Sequence, residues 1–111
     1  MNNEKVYEIK DGNGFIKEYN NEGKIIFVGE YLNGERNGKG KEYSDYDNKL
    51  IFKGEYLNGE RYRNGKVYYD NGRLKFEEKY LNGKKNGKGK EYNHYGKLVF
   101  EGEYLNGRLL L

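Results

Sequence analysis

Apolar and polar positions alternate with a period of two along most of the chain, which is the signature of a β-strand with one buried face. The clearest run surrounds Asn71-Gly72. Val67, Tyr69, Leu74, Phe76, Glu78 and Tyr80 fall on one side of it, and Tyr68, Lys75, Glu77 and Lys79 on the other. Asn-Gly between alternating strands predicts a hairpin, because a type I′ turn needs positive φ at both central residues. Centred there, the turn sets Asp70 opposite Arg73, Tyr69 opposite Leu74 and Val67 opposite Phe76. The same face recurs as Leu50, Phe52, Gly54 and Tyr56, and again as Leu98, Phe100, Gly102 and Tyr104. A glycine between two aromatic residues leaves a gap that a ring can fill. The corresponding turns at Asn20 to Gly23, Ser44 to Asn48 and Asn93 to Gly96 are longer, and the links on the opposite side, Asn33-Gly34, Asn58-Gly59 and Asn82-Gly83, are also turn dipeptides.

These hairpins are copies of one unit. The tyrosines of the Tyr-Leu-Asn-Gly motif stand at 31, 56, 80 and 104, in steps of 25, 24 and 24. A second series, Tyr19, Tyr43, Tyr69 and Tyr92, steps by 24, 26 and 23. Tyr7, 24 residues before Tyr31, marks a weak earlier copy. The reading is one repeat domain over residues 1–111, with about four units of 23–26 residues, a degenerate N-terminal half-unit (1–13) and a C-terminal cap (108–111). The predicted fold is all-β: an elongated, single-layer antiparallel meander of stacked hairpins. At about 4.8 Å per strand, four units form a ribbon about 40 Å long. The repeat core is expected at Phe27, Gly29, Tyr31, Phe52, Gly54, Tyr56, Phe76, Tyr80, Phe100, Gly102 and Tyr104.

Composition agrees with a thin sheet. Leu, Ile, Val and Phe make up 24 of 111 residues, so the 13 tyrosines must supply much of the buried area. Seventeen glycines and no alanine oppose helix, and fixed aromatic register opposes disorder. With no cysteine there is no disulfide framework and no cysteine-based zinc site. The N-terminus Met1 to Lys10 is polar, unlike a secretory signal, and no apolar run approaches the roughly 20 residues of a membrane helix. The expectation is a cytoplasmic protein. A net charge of +3 from 21 basic and 18 acidic residues gives no reason to expect nucleic acid.

Phe27-Val28-Gly29-Glu30-Tyr31-Leu32-Asn33-Gly34, followed by Gly38-Lys39-Gly40, resembles the MORN repeat (membrane occupation and recognition nexus), whose pattern is aromatic-x-Gly-x-aromatic-x-x-Gly and then Gly-x-Gly. The likeness covers roughly residues 14–107. It implies stacked hairpins in a single layer with a ring-lined groove. Tyrosine at the second aromatic position is similar to the MORN-variant subclass, common in bacteria, which includes a family labelled as antitoxins. Three departures stand out. Glu78 replaces the first glycine of its unit, Val67 replaces the second glycine of Gly-x-Gly, and two extra residues are best placed at Tyr62 and Arg63.

Most candidate chemistry dissolves on inspection. Gly-Lys-Gly-Lys at Gly38 to Lys41 and Gly87 to Lys90 lacks the following helix that a phosphate-cradling loop requires. A looser reading lets Arg61, Arg63, Lys66, Lys84, Lys85, Lys88 and Lys90 rim one edge and meet anionic lipid headgroups. Glu30, Glu55 and Glu103 recur in step with the repeat, which suits cross-strand partners of lysines better than a tuned catalytic pair. His94 has no second ligand residue to make a zinc set, and Ser44 to Asn48 lacks the glycine and distal glutamate of a calcium loop. Residues that break the repeat say more. Tyr62 and Arg63, with Tyr46, Tyr95 and Tyr68, are the candidate partner contacts, since Tyr and Arg are favoured interface anchors. The expectation is a non-enzymatic protein-binding or scaffold module without metal or cofactor, of antitoxin or immunity type by the resemblance. The alternatives are a peripheral membrane or phosphoinositide binder, and a fragment of a larger array. Leu109 to Leu111 are expected to cover the last ring layer near Phe100 and Tyr104, or to join a second copy as a homodimer through the C-terminal edge.

Overall fold

The computed structural model describes residues 4–7 and 14–110. They form one antiparallel meander: β1 (Glu4–Tyr7), β2 (Gly14–Tyr19), β3 (Ile25–Leu32), β4 (Glu35–Tyr43), β5 (Leu50–Leu57), β6 (Glu60–Tyr68), β7 (Leu74–Leu81), β8 (Lys84–Lys85), β9 (Gly87–Tyr92), β10 (Leu98–Leu105) and β11 (Arg108–Leu110). Each strand pairs with the next along the chain, except that β8 and β9 both pair with β7, like two halves of one interrupted strand. The longest dimension is 45 Å, as expected for a ribbon of four units. β1 supplies a strand in the N-terminal half-unit, whose remaining residues, like Leu111, lie outside the described residues.

The links Asn33-Gly34, Asn58-Gly59, Asn82-Gly83 and Asn106-Gly107 all carry positive φ at both residues, between 50° and 86°, as two-residue type I′ turns demand. Units are tied together at this edge. Gly59 N donates to Arg36 O, Gly83 N to Arg61 O and Gly107 N to Lys85 O.

Asn71-Gly72 is not a turn of that kind. Only Gly72 has positive φ; Gly72 N donates to Tyr69 O, and Tyr69 N to Arg73 O. The loop is a three-residue turn closed by a left-handed glycine. Val67 does face Phe76, but Leu74 faces Tyr68 rather than Tyr69, because Lys75 is an extra residue on its strand. The same one-residue bulge precedes the phenylalanine of the other three hairpins, at Ile26, Ile51 and Val99. Tyr68 therefore completes the series of Tyr19, Tyr43 and Tyr92. Tyr69 is the counterpart of Asn20, Ser44 and Asn93, the residues that close the loops.

A second bulge recurs in the other strand of each unit. Gly29 faces Gly40 and Tyr31 faces Arg36, which leaves two residues of β4 in excess. Gly54 faces Gly65 and Glu55 faces Tyr62, so Arg63 and Asn64 are the excess pair of β6. This corrects the sequence reading twice. Tyr62 and Arg63 are not an insertion protruding from a turn, since every complete unit has this bulge. The second glycine of Gly-x-Gly is Gly65, and Val67 takes instead the place that Glu42 holds one unit earlier. The one true extra residue of the repeat lies in the Ser44 to Lys49 loop, where the closing bond spans five residues rather than four.

Phe27, Phe52, Tyr31, Tyr56, Tyr80 and Ile16 make the core on one face. Phe27 and Phe52 each lie against a facing pair of glycines. A Cβ on Gly40 would sit 2.6 Å from the Phe27 ring, and one on Gly65 would sit 2.5 Å from Phe52. Tyrosines of the same and the next unit meet each ring edge-on, with centroids 5.2–6.2 Å apart. Burial then falls along the ribbon: Phe27 and Phe52 are fully enclosed, Phe76 and Tyr104 are half-buried, and Phe100 is 36% exposed.

Candidate functional site

The Phe27 and Phe52 layers are each roofed by a cation and locked by a carboxylate. The Arg36 guanidinium stands 4.1 Å from the Phe27 ring centre and is held by Glu18 through Nε at 2.9 Å and Nη2 at 3.2 Å. Arg61 repeats this over Phe52 at 3.9 Å, held by Glu42 at 3.0 and 3.1 Å. Tyr31 and Tyr56 donate their hydroxyls to the same carboxylates. Burial, then the neighbouring glutamate, pushes both phenols far up. Burial alone would raise the Glu42 carboxyl, but the bonds from Arg61 and Tyr56 outweigh it and hold it below the usual carboxylate range.

The third unit is built differently. Val67 replaces the carboxylate, Lys85 replaces the arginine, and Glu78 occupies the glycine position between Phe76 and Tyr80. The Glu78 side chain is buried, and Lys85 Nζ is 3.1 Å from its Oε1, off the line of a hydrogen bond. Burial pushes this carboxyl up, and Lys85 only partly counters it.

The recurring glutamates serve the second bulge. Glu30 accepts the Lys39 N–H at 2.7 Å, and Glu55 the Asn64 N–H at 3.4 Å. A bulge frees backbone donors from the ladder, and these carboxylates satisfy them. The expected lysine partnerships are a matter of register alone: Lys39 faces Glu55 and Lys88 faces Glu103, without ion pairs. Ser44 Oγ accepts the N–H groups of Tyr46 and Asp47, and Asp47 accepts that of Lys49, so the loop's oxygens are engaged in shaping it. His94 stacks on Tyr69 with centroids 3.9 Å apart. Among the described residues no three His, Asp or Glu side chains are placed to hold a metal ion, and no helix is long and apolar enough to cross a membrane. The expected basic rim is divided. Arg61 and Lys85 turn onto the core face into ion pairs, whereas Lys66, Lys88 and Lys90 line a groove on the other face.

The five candidate contact residues fall at two edges of the ribbon. Tyr46 is 88% and Tyr95 82% exposed, in loops two units apart, and half-buried Tyr68 is near that edge too. Tyr62 and Arg63 lie towards the opposite, type I′ edge, where the Arg63 guanidinium stands 5.0 Å from the Tyr62 ring centre. Their places in the other units are structural. Asn37 and Asn86 occupy the position of Tyr62, and their side chains accept the N–H groups of Asn58 and Asn106, which fixes the next turn. Gly14, Gly38 and Gly87 occupy the position of Arg63 with φ of 102° to 108°, and Arg63 is also left-handed, at 56°. A side chain in that region costs about 1–2 kcal/mol. At Gly38 a Cβ would stand 2.8 Å from the Glu30 carboxylate, and the longer Glu55 contact beside Arg63 shows where that room was made.

The face opposite the rings holds an open groove of about 820 Å³ that extends from Phe15 on β2 to Glu101 on β10. Its floor is the backbone of the facing glycines, and lysines dominate its walls. No protein-family model matches the chain, and no curated protein matches it significantly.

Proposed function

We propose that the protein is a non-enzymatic protein-binding module whose contact point is Tyr62-Arg63 on β6. One observation carries this reading. At two adjacent positions the repeat's stabilising residues, an asparagine that fixes the next turn and a glycine that suits positive φ, are replaced by residues that weaken the fold and suit an interface. The absence of catalysis is supported by the employment of the polar groups. Glu18, Glu42, Glu30, Glu55, Ser44 and Asp47 all hold the protein's own backbone or side chains. The resemblance to MORN-variant repeats makes the more specific proposal an antitoxin-like partner of a protein toxin in the cytoplasm.

The test restores the repeat. Tyr62→Asn combined with Arg63→Gly is expected to keep the fold and raise its Tm, and a melting curve of the double variant separates lost binding from unfolding. Affinity capture with in-cell crosslinking in the native host is expected to retain a protein with the wild type and lose it with the double variant. Capture of the same proteins by both forms, or of none by the wild type, rejects the reading.

A further inference from the structure

Charges on the groove face stand in a continuous row across the sheet. From β4 to β10, facing residues run Lys41, Lys53, Lys66, Glu77, Lys90 and Glu101. The first three are like charges directly opposite one another on adjacent strands, an arrangement that destabilises a sheet. None of these three lysines lies within ion-pair distance of a carboxylate among the described residues. Beyond them the sign alternates, and Tyr92 fixes the Glu77 carboxylate by donating its hydroxyl.

We infer that this row docks the charged stripe of an α-helix from a partner protein. The inference rests on the protein-binding reading but takes the row through the middle of the strands, whereas Tyr62 faces Glu55 nearer the type I′ edge. Adjacent strands repeat at about 4.8 Å, close to the 5.4 Å rise of one helical turn. A strand offers same-face side chains only about every 6.8 Å and falls out of step sooner. The complementary stripe carries acid, acid, acid, base, acid, base on successive turns. A continuous polyanion, such as a lipid surface or a polyphosphate, meets Glu77 and Glu101 on the same line and is repelled there.

The test uses two synthetic helical peptides of identical composition, one with this stripe and one with its signs exchanged, titrated onto the whole protein at low and moderate salt. The complementary peptide is expected to bind at least tenfold more tightly, with an affinity that falls as salt rises. Lys53→Glu places an acid between Lys41 and Lys66. It is expected to raise the Tm and to abolish the preference; Lys53→Gln serves the same purpose if the first variant folds poorly. Tyr62→Asn/Arg63→Gly alters none of the six charges of the row and is expected to leave this binding intact, which separates failure here from failure of the contact at β6. Equal binding of both peptides, binding of neither, no effect of either Lys53 substitution, or stronger retention by phosphatidylserine vesicles or tripolyphosphate overturns the inference.

Discussion

Two glutamates on the core face titrate in opposite directions, and the reason is what each meets. Glu42 gains more from Arg61 and Tyr56 than burial takes away, so its folded pKa is lowered. Its stabilisation is complete above the unfolded value of about 4.3 and is lost as pH falls through the folded one. Glu42→Gln should therefore cost about 1.5–3 kcal/mol at pH 7, the worth of hydrogen bonds to a charged group, with the deficit closing below about pH 4. Glu78 is buried with Lys85 as its counter-ion, and its folded pKa is raised. Once ionised it weakens the fold, a burden present above the folded pKa and relieved as pH falls towards the unfolded value. Glu78→Gln should raise the Tm at pH 8 and lose that advantage by about pH 4. Lys85, 30% exposed, can reach water when its partner is neutralised. Melting curves of both variants across this range decide the matter; a Glu78→Gln protein that melts below wild type at pH 8 contradicts the assignment.

At the scale of the element, the bulge on β6 allows a direct comparison. Arg63→Gly gives the chain the residue that its sister bulges use. Removing the left-handed penalty of about 1–2 kcal/mol, less the extra backbone entropy of glycine at about 0.5–1, should leave a net gain of about 0.5–1 kcal/mol and a Tm higher by a few degrees. An unchanged or lower Tm would mean that the contact of Arg63 with Tyr62 repays the strain. The bulges also mark the limit of what the sequence reveals. Strand identity, hairpin order and the core phenylalanines follow from alternation and from the 24-residue period. Register does not, because an extra residue before Phe76 moves Leu74 opposite Tyr68 without disturbing the composition. Asn-Gly likewise fits both a type I′ turn and the left-handed close of a longer loop, and the chain uses it both ways, at Asn58-Gly59 and at Asn71-Gly72. Tyr62-Arg63 was conspicuous in the sequence, but as an insertion; its meaning needed the sister bulges beside it. The lysine row was invisible there, since Lys41, Lys53 and Lys66 become neighbours only through the pairing of three strands.

Across the whole molecule the core is a graded series. Every enclosed phenylalanine has a cation above it and a tyrosine from the next unit at its edge. Phe27 has Arg36 and Tyr56, and Phe52 has Arg61 and Tyr80. Leu109 stands at the cation position of the last layer, and its Cδ1 lies 2.9 Å from where a Cβ on Gly102 would be. Even so, Leu109 and Phe100 each remain 36% exposed, and Leu110 is 51% exposed. In a solenoid each unit contacts only its neighbours, so stability is set by local enclosure. Phe52→Ala should cost about 3–5 kcal/mol, as for a fully buried ring, and bring a protein of ordinary marginal stability close to unfolding. Phe100→Ala should cost well under half as much, because much of its ring already meets water. Hydrogen exchange should show the same gradient without mutation, with the slowest amides in β3 to β6 and the fastest strand exchange in β10 and β11. Uniform protection from β3 to β11, or equal losses for the two alanine variants in urea titrations, would show that the ribbon unfolds as one unit whatever the local enclosure of its rings.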